Sequence, residues 1–142
     1  MFLGEFIHTI DDKGRLTIPA KFRTDLAMGL VVTRGMDRCL VMYPMDAWRK
    51  FTEQIANLPM TDRLARDFRR LVYAGATDTA PDKQGRINIP QTLRDSVDLN
   101  GQAIIVGCDT YLEIWSPEEW EKVQARVGEA DADVERWATL GI

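Results

Sequence analysis

The chain has 142 residues, 45% hydrophobic and 28% charged, with a formal charge of −4. That is apolar material for one globular core or two fused small ones, and it excludes a disordered tail. No run approaches the roughly 18 apolar residues of a membrane-spanning helix, so no membrane partner is expected.

The first element in chain order is "FLGEFIHTI", a candidate strand. Gly4, Glu5 and His8 interrupt it where a signal peptide needs an unbroken apolar run, so a soluble, unexported cytoplasmic protein is expected. The strand runs into "DDKGRLTIPAKFR", where Asp11 suits the first position of a type I turn and Gly14 the fourth. Beyond the turn, alternation directs Leu16 and Ile18 to a core and leaves Lys13, Arg15 and Thr17 on the opposite face. Pro19 suits the first turn of a short helix that covers the strands with Phe22 and Leu26. "LVVTR" and "CLVMY" make a hairpin through Gly35 to Arg38, and a helix with Trp48, Phe51 and Ile55 on one face follows. "TDRLARDFRRLVY" predicts a connecting helix, with Leu64, Phe68 and Leu71 on one side and Arg63, Arg66 and Arg70 on another.

The same string of elements then recurs. A shift of 71 residues places Asp11 on Asp82, Gly14 on Gly85, Arg15 on Arg86, Ile18 on Ile89, Pro19 on Pro90 and Arg23 on Arg94, six identities in thirteen positions. Unrelated sequences of ordinary composition would give about one. A shift of 72 continues the match, with Gly35 on Gly107, Asp37 on Asp109, Leu40 on Leu112, Trp48 on Trp120 and Lys50 on Lys122. The second copy has a weaker first strand in "YAGATDTAP", a hairpin through Gly107 to Thr110, and a last helix that starts at Ser116, Pro117 and Glu119. There the serine suits the N-cap, the proline the first helical position, and the glutamate is expected to reach back. Trp120, Val123 and Val127 line one face of that helix. The predicted organisation is a first repeat at 1–55, a linker helix at 56–72, a second repeat at 73–127 and an acidic segment at 128–142. The fold class is α+β, built from two tandem βαββα-type repeats.

Residues 113–142 hold eight acids against three bases, a balance of −5, which leaves +1 of the formal −4 for residues 1–112. Within that part, residues 13–23 carry Lys13, Arg15, Lys21 and Arg23 with no acid. Such local concentration matters more than the total, because attraction to phosphate is screened beyond about 8 Å in physiological salt. The polar strand face reads Lys-Arg-Thr at 13, 15 and 17 and Gln-Arg-Asn at 84, 86 and 88. These side chains suit phosphates and base edges, and a twisted two-stranded ribbon fits a major groove. The candidate DNA-binding residues are Lys13, Arg15 and Thr17 with Lys83, Arg86 and Asn88, and secondarily Lys21, Arg23 and Arg94, with Asp11 and Asp82 setting the turns and the arginine geometry.

Two other classes compete. A pseudo-symmetric aspartic hydrolase would need Asp37 and Asp109 to meet, although "GMDRC" and "GCDTY" lack the D-T-G or D-S-G setting. A self-associating module without specific DNA binding would use the same paired half-domains as a scaffold. No phosphate-binding loop, nucleophile elbow or zinc motif is present, and His8 is the one histidine. Cys39 and Cys108 are expected as free thiols. No enzyme activity, metal, cofactor or small-molecule substrate is predicted.

Two copies of D-x-x-x-R, each followed by a hydrophobic pair and proline, with "RRLVYAGA" between them, resemble the MraZ family of bacterial transcriptional regulators over essentially the whole chain. The resemblance implies a pseudo-two-fold swapped-hairpin β-barrel of the AbrB type with flanking helices. It implies ring-shaped homo-oligomers of more than four subunits, associated with the nucleoid. It also implies binding of double-stranded DNA at repeated sites upstream of the division and cell-wall gene cluster, including the regulator's own gene. The family's DNA contacts would fall on Asp11, Arg15, Asp82 and Arg86. The first copy, with Lys13, Lys21 and Arg23 against Gln84, Thr92 and Arg94, is expected to be the more basic.

Overall fold

A computed structural model describes residues 1–131 and 134–141. Asp133, counted in the acidic C-terminal balance, lies outside the described residues. The first copy contributes β1 (Glu5–Thr9), β2 (Arg15–Thr17), a 3₁₀ turn (Ala20–Phe22), α1 (Arg23–Leu26), β3 (Leu30–Arg34), β4 (Leu40–Pro44) and α2 (Met45–Ala56). After the connecting helix α3 (Arg63–Ala74), the second copy contributes β5 (Thr77–Thr79), β6 (Arg86–Asn88), α4 (Gln91–Ser96), β7 (Gln102–Cys108), β8 (Tyr111–Trp115) and α5 (Pro117–Asp131), with α6 (Val134–Ala138) beyond it.

The strands form an antiparallel six-stranded sheet in the order β1-β7-β8-β4-β3-β5 and a separate two-stranded ribbon, β2-β6. Exchanging the copies reads the six-strand order backwards, which is the pseudo-two-fold written into the topology. Each copy's first strand leaves its own repeat: β1 pairs with β7, and β5 with β3. The α+β class and the interleaved hairpins therefore hold, in a sheet that ends at β1 and β5.

The alternation expected of each copy delivers a shared core. Leu16, Ile18, Phe22, Leu26, Leu30 and Val32 of the first copy meet Ile87, Ile89, Leu93, Val97, Ile105 and Leu112 of the second, all essentially removed from water. At about 1.5–3 kcal/mol for each fully buried large aliphatic side chain, neither copy could be stable without the other's half of this cluster. Phe22 is wedged edge-on between Phe2 and Phe6, with centroids 5.2 and 5.3 Å away. A second cluster of Cys39, Val41, Ile104 and Trp115 is joined by Trp120 and Val123 of α5. Val127, expected on the same stripe, is exposed, because α5 has run past the sheet by then.

Several local signals are realised as side-chain contacts. Pro19 and Pro90 sit immediately before their helices as N-caps rather than inside them. Ser116 caps α5 by accepting from the Glu119 amide at 3.2 Å. The Glu119 carboxylate does not reach back; it is drawn instead to Lys122 at 3.0 Å and Arg38 at 3.7 Å, cations that compete with the cap. The second hairpin is tighter than expected, with Gly107 and Cys108 inside β7 and only Asp109 and Thr110 in the turn. In α3 the buried residues are Ala65 and Val72, while Leu64 and Leu71 are exposed. Two contacts fix that rotation: Thr33 Oγ1 donates to Val72 O at 2.6 Å, and Arg69 Nη2 donates to Leu58 O at 2.8 Å and Ile55 O at 3.1 Å at the end of α2.

Candidate nucleic-acid interface

The duplicated turns sit side by side because β2 and β6 are partners. Arg15 is opposite Asn88, Leu16 opposite Ile87, and Thr17 opposite Arg86. Residues directly opposite in an antiparallel pair point to the same side. Leu16 and Ile87 therefore go down into the core together, and Arg15, Thr17, Arg86 and Asn88 stand together on the outer face. The ribbon has one strand from each copy.

Each turn is built identically. Gly14 N donates to Asp11 O at 3.0 Å, and Gly85 N to Asp82 O at 2.9 Å, with both glycines at positive φ, +82° and +75°. Asp11 Oδ1 accepts from the amides of Lys13 at 3.0 Å and Arg15 at 2.9 Å, and its Oδ2 accepts from Arg15 Nε at 2.7 Å. Asp82 repeats the pattern with the amides of Gln84 and Arg86, both at 2.9 Å, and with Arg86 Nε at 3.0 Å. In both pairs the ion contact uses Nε, so the two terminal nitrogens of Arg15 and Arg86 have no partner among the described residues. A guanidinium tethered by its inner nitrogen presents its outer edge in a fixed direction, the edge that grips guanine or phosphate.

The Arg15 amide, more than any other group, holds the Asp11 carboxyl below the usual aspartate range, with the Arg15 guanidinium and Lys13 amide adding to it against a partial burial that opposes. The Arg86 amide does the same for Asp82. A carboxylate with a depressed folded pKa contributes stability that is present above its unfolded value and is lost as pH falls through the folded one. Carboxyl-carbon NMR titration is expected to give midpoints for Asp11 and Asp82 below the ordinary aspartate value, with the turn amides shifting in the same acid window. A midpoint at or above that value would show that the amides do not hold the carboxylate.

The remaining candidates are placed less uniformly. Lys13 and Lys83 are exposed on the turns, and the carbonyl of Lys13 accepts from Asn88 Nδ2 at 3.2 Å across the copies. Lys21 lies over aromatic rings, its Nζ 5.4 Å from the Phe6 centroid and 5.3 Å from Phe22. Arg23 Nε donates to Ile18 O at 3.1 Å, and Arg94 Nε to Ile89 O at 2.9 Å. The arginines then cross over: a Cβ at Gly14 would lie 2.8 Å from Arg94 Nη2, and one at Gly85 would lie 2.5 Å from Arg23 Cζ. The turn motif assigns these glycines a turn role alone; the second role has a signal in the identity of Arg23 and Arg94 between copies where Lys21 faces Thr92.

The hydrolase reading fails on topology. β4 and β8 are antiparallel, with Leu40 opposite Ile114 and Met42 opposite Leu112. The turn holding Asp37 therefore lies at one end of this pair and the turn holding Asp109 at the other. Asp109 borders a cleft of about 500 Å³ with Asp25, Asp46, Tyr43, Phe51 and Tyr111, and Asp37 is not part of it. Burial, then the Glu113 carboxylate, pushes the Cys39 thiol far up and Cys108 up to about 11, so neither is poised to ionise near neutral pH. Among the described residues no three His, Cys, Asp or Glu side chains converge as a metal site, and no helix is long and apolar enough to cross a membrane.

The family model described as "MraZ protein, putative antitoxin-like" matches the chain twice, over residues 1–71 and 72–139. The chain belongs to the MraZ family. Among curated MraZ proteins, each named transcriptional regulator MraZ, that of Herpetosiphon aurantiacus is 50% identical over 143 residues, covering 100% of both chains. That of Thermomicrobium roseum is 49% identical over 99% of both, and that of Limosilactobacillus reuteri is 53% identical over 86% of both. Each MraZ match contains one Asp-turn-Arg loop, and the two loops meet in the β2-β6 ribbon.

Proposed function

We propose that this chain is a sequence-specific, DNA-binding transcriptional regulator whose β2-β6 ribbon docks on double-stranded DNA. One observation carries the reading: two Asp-anchored arginines, one from each copy, project from the same outer face of a two-stranded antiparallel ribbon with Thr17 and Asn88 between them. Arg15 and Arg86 reach base edges or phosphates, and Lys13 and Lys83 add phosphate contacts. The names of the relatives support the regulatory role. Residues 1–55 and 73–127 act as the two DNA-facing copies, 56–72 as their connection, and 128–142 as an acidic segment directed away from DNA.

The proposed operators are repeated sites upstream of the division and cell-wall gene cluster, including the chain's own gene. A ring-shaped homo-oligomer of more than four subunits would present several ribbons at once, so that avidity offsets the acidic net charge of each protomer. Leu64 and Leu71, exposed on α3 at 76% and 44%, support a subunit contact there. Such a protein would act in the cytoplasm, on the nucleoid.

Titration of a labelled duplex from the region upstream of its own gene, against a shuffled duplex and across a salt series, tests the reading. Tighter binding of the native duplex is expected, with log K falling linearly in log salt at a slope of about −0.9 per phosphate engaged. Equal binding of both duplexes would overturn the specific regulator in favour of a self-associating module.

A further inference from the structure

We propose that Arg23 and Arg94 are positioning residues that each lock the turn of the opposite copy, so that the two Asp-Arg loops are presented to DNA as one unit. The inference deepens the DNA-binding reading above and rests on it. Its basis is a closed triangle that occurs twice. In one, Ile18 N donates to Gly85 O at 2.8 Å, Ile18 O accepts from Arg23 Nε at 3.1 Å, and the Arg23 guanidinium lies against Gly85. In the other, Ile89 N donates to Gly14 O at 2.9 Å, Ile89 O accepts from Arg94 Nε at 2.9 Å, and the Arg94 guanidinium lies against Gly14. Both glycines are buried although they belong to turns.

The chemistry of the triangle requires arginine. Its planar guanidinium can lie flat on a peptide while the inner N–H holds a carbonyl, whereas a lysine ammonium is a compact point charge with no flat face. It requires glycine as well, since any Cβ would enter the guanidinium. The consequence for binding follows from adjacency. Gly85 immediately precedes Arg86 and Gly14 precedes Arg15. A guanidinium from the first copy thus sets the peptide that aims the second copy's arginine, and the reverse holds for Arg94.

The test uses the full-length protein with Arg23→Lys, Arg23→Gln and Arg94→Lys, read by backbone amide shifts without DNA and by affinity for the upstream duplex. For both Arg23 variants the largest shifts are expected at residues 82–86, in the opposite copy, and for Arg94→Lys at residues 11–15. Affinity is expected to fall about tenfold for Lys and Gln alike, equivalent to about 1.4 kcal/mol. A direct phosphate contact would be satisfied by lysine, so Arg23→Lys within twofold of wild type beside a weakened Arg23→Gln would overturn the positioning role. Shifts confined to each arginine's own loop would overturn the crossing. If the wild-type chain ignores the duplex, the regulator reading fails while the amide shifts still decide whether the turns are locked across the copies.

Discussion

Replacing Arg15 and Arg86 together by alanine is expected to abolish preference for the native duplex while leaving the protein folded. Both side chains lie on the outer face of the ribbon, 33% and 28% exposed, and their removal leaves Leu16 and Ile87 in place beneath. A bidentate arginine contact to a base is worth about 1–3 kcal/mol of discrimination, so each single variant should bind roughly 5- to 150-fold more weakly. Truncation also strips Asp11 or Asp82 of its counter-charge while the backbone amides keep the carboxylate ionised, adding repulsion toward phosphate. The loss in Arg15→Ala should therefore exceed that in Lys13→Ala, which is expected to weaken all duplexes alike and to reduce the salt slope by about one. Fluorescence anisotropy with native and shuffled duplexes gives the affinities, and circular dichroism checks the fold. A double variant that still prefers the native duplex would remove the ribbon from the interface.

The comparison of the two single variants carries more information. Along the chain the first copy is the more basic, with Lys21 and Arg23 close to Lys13. Folding redistributes that charge: Lys21 lies on Phe6 and Phe22, while Arg23 and Arg94 each cross to the other copy's turn and so cancel in the comparison. Within the turns, residues 11–15 hold two acids and two bases, while residues 82–86 hold one acid and two bases. Arg86→Ala is accordingly expected to be at least as damaging as Arg15→Ala, and an effect confined to Arg15 would argue against docking by both loops.

What could be read from the chain, and what could not, divides along a physical line. The turns were legible because an Asp at the first position and a Gly at the fourth are demanded by local backbone geometry, and both recur. The inward pairs Leu16/Ile18 and Ile87/Ile89 were legible because alternation fixes the face of a strand whatever its partner. The partner itself was not, since ladder hydrogen bonds join backbone groups that carry no side-chain signature; nothing local says that Arg15 faces Asn88 across the copies. The same limit applies to α3, where periodicity groups Leu64, Phe68 and Leu71, yet with Thr33 and Arg69 as anchors Ala65 and Val72 are buried, Phe68 is half-buried, and Leu64 and Leu71 are exposed. Likewise Asp37 and Asp109 are equivalent in sequence, and antiparallel pairing of β4 with β8 sends equivalent turns to opposite ends.

Leu16→Ala should cost about 2–5 kcal/mol of stability, the range for truncating a fully buried leucine where the cavity cannot collapse. Leu16 is 0% exposed, opposite Ile87 in the ribbon and bridged to Ile10, so atoms from both copies line the space it fills. Against a typical total of about 5–15 kcal/mol this is a large fraction, and thermal unfolding should move down by roughly 10 °C. Thr17→Ala, one residue along and on the opposite face, should change stability by no more than about 0.5 kcal/mol. Leu16→Met, which keeps the volume, should cost less than about 1.5 kcal/mol. The ordering matters for function because the ribbon belongs to neither copy alone. A void beneath Leu16 loosens the seat of Ile87 and with it the strand that carries Arg86. Leu16→Ala is therefore expected to weaken binding of the native duplex even where the protein remains folded, whereas Thr17→Ala can act on affinity only through its own contact. Equal stability of Leu16→Ala and wild type in denaturant would mean that the two copies do not share a core at this point, and the interleaved pairing of β2 with β6 would have to be abandoned.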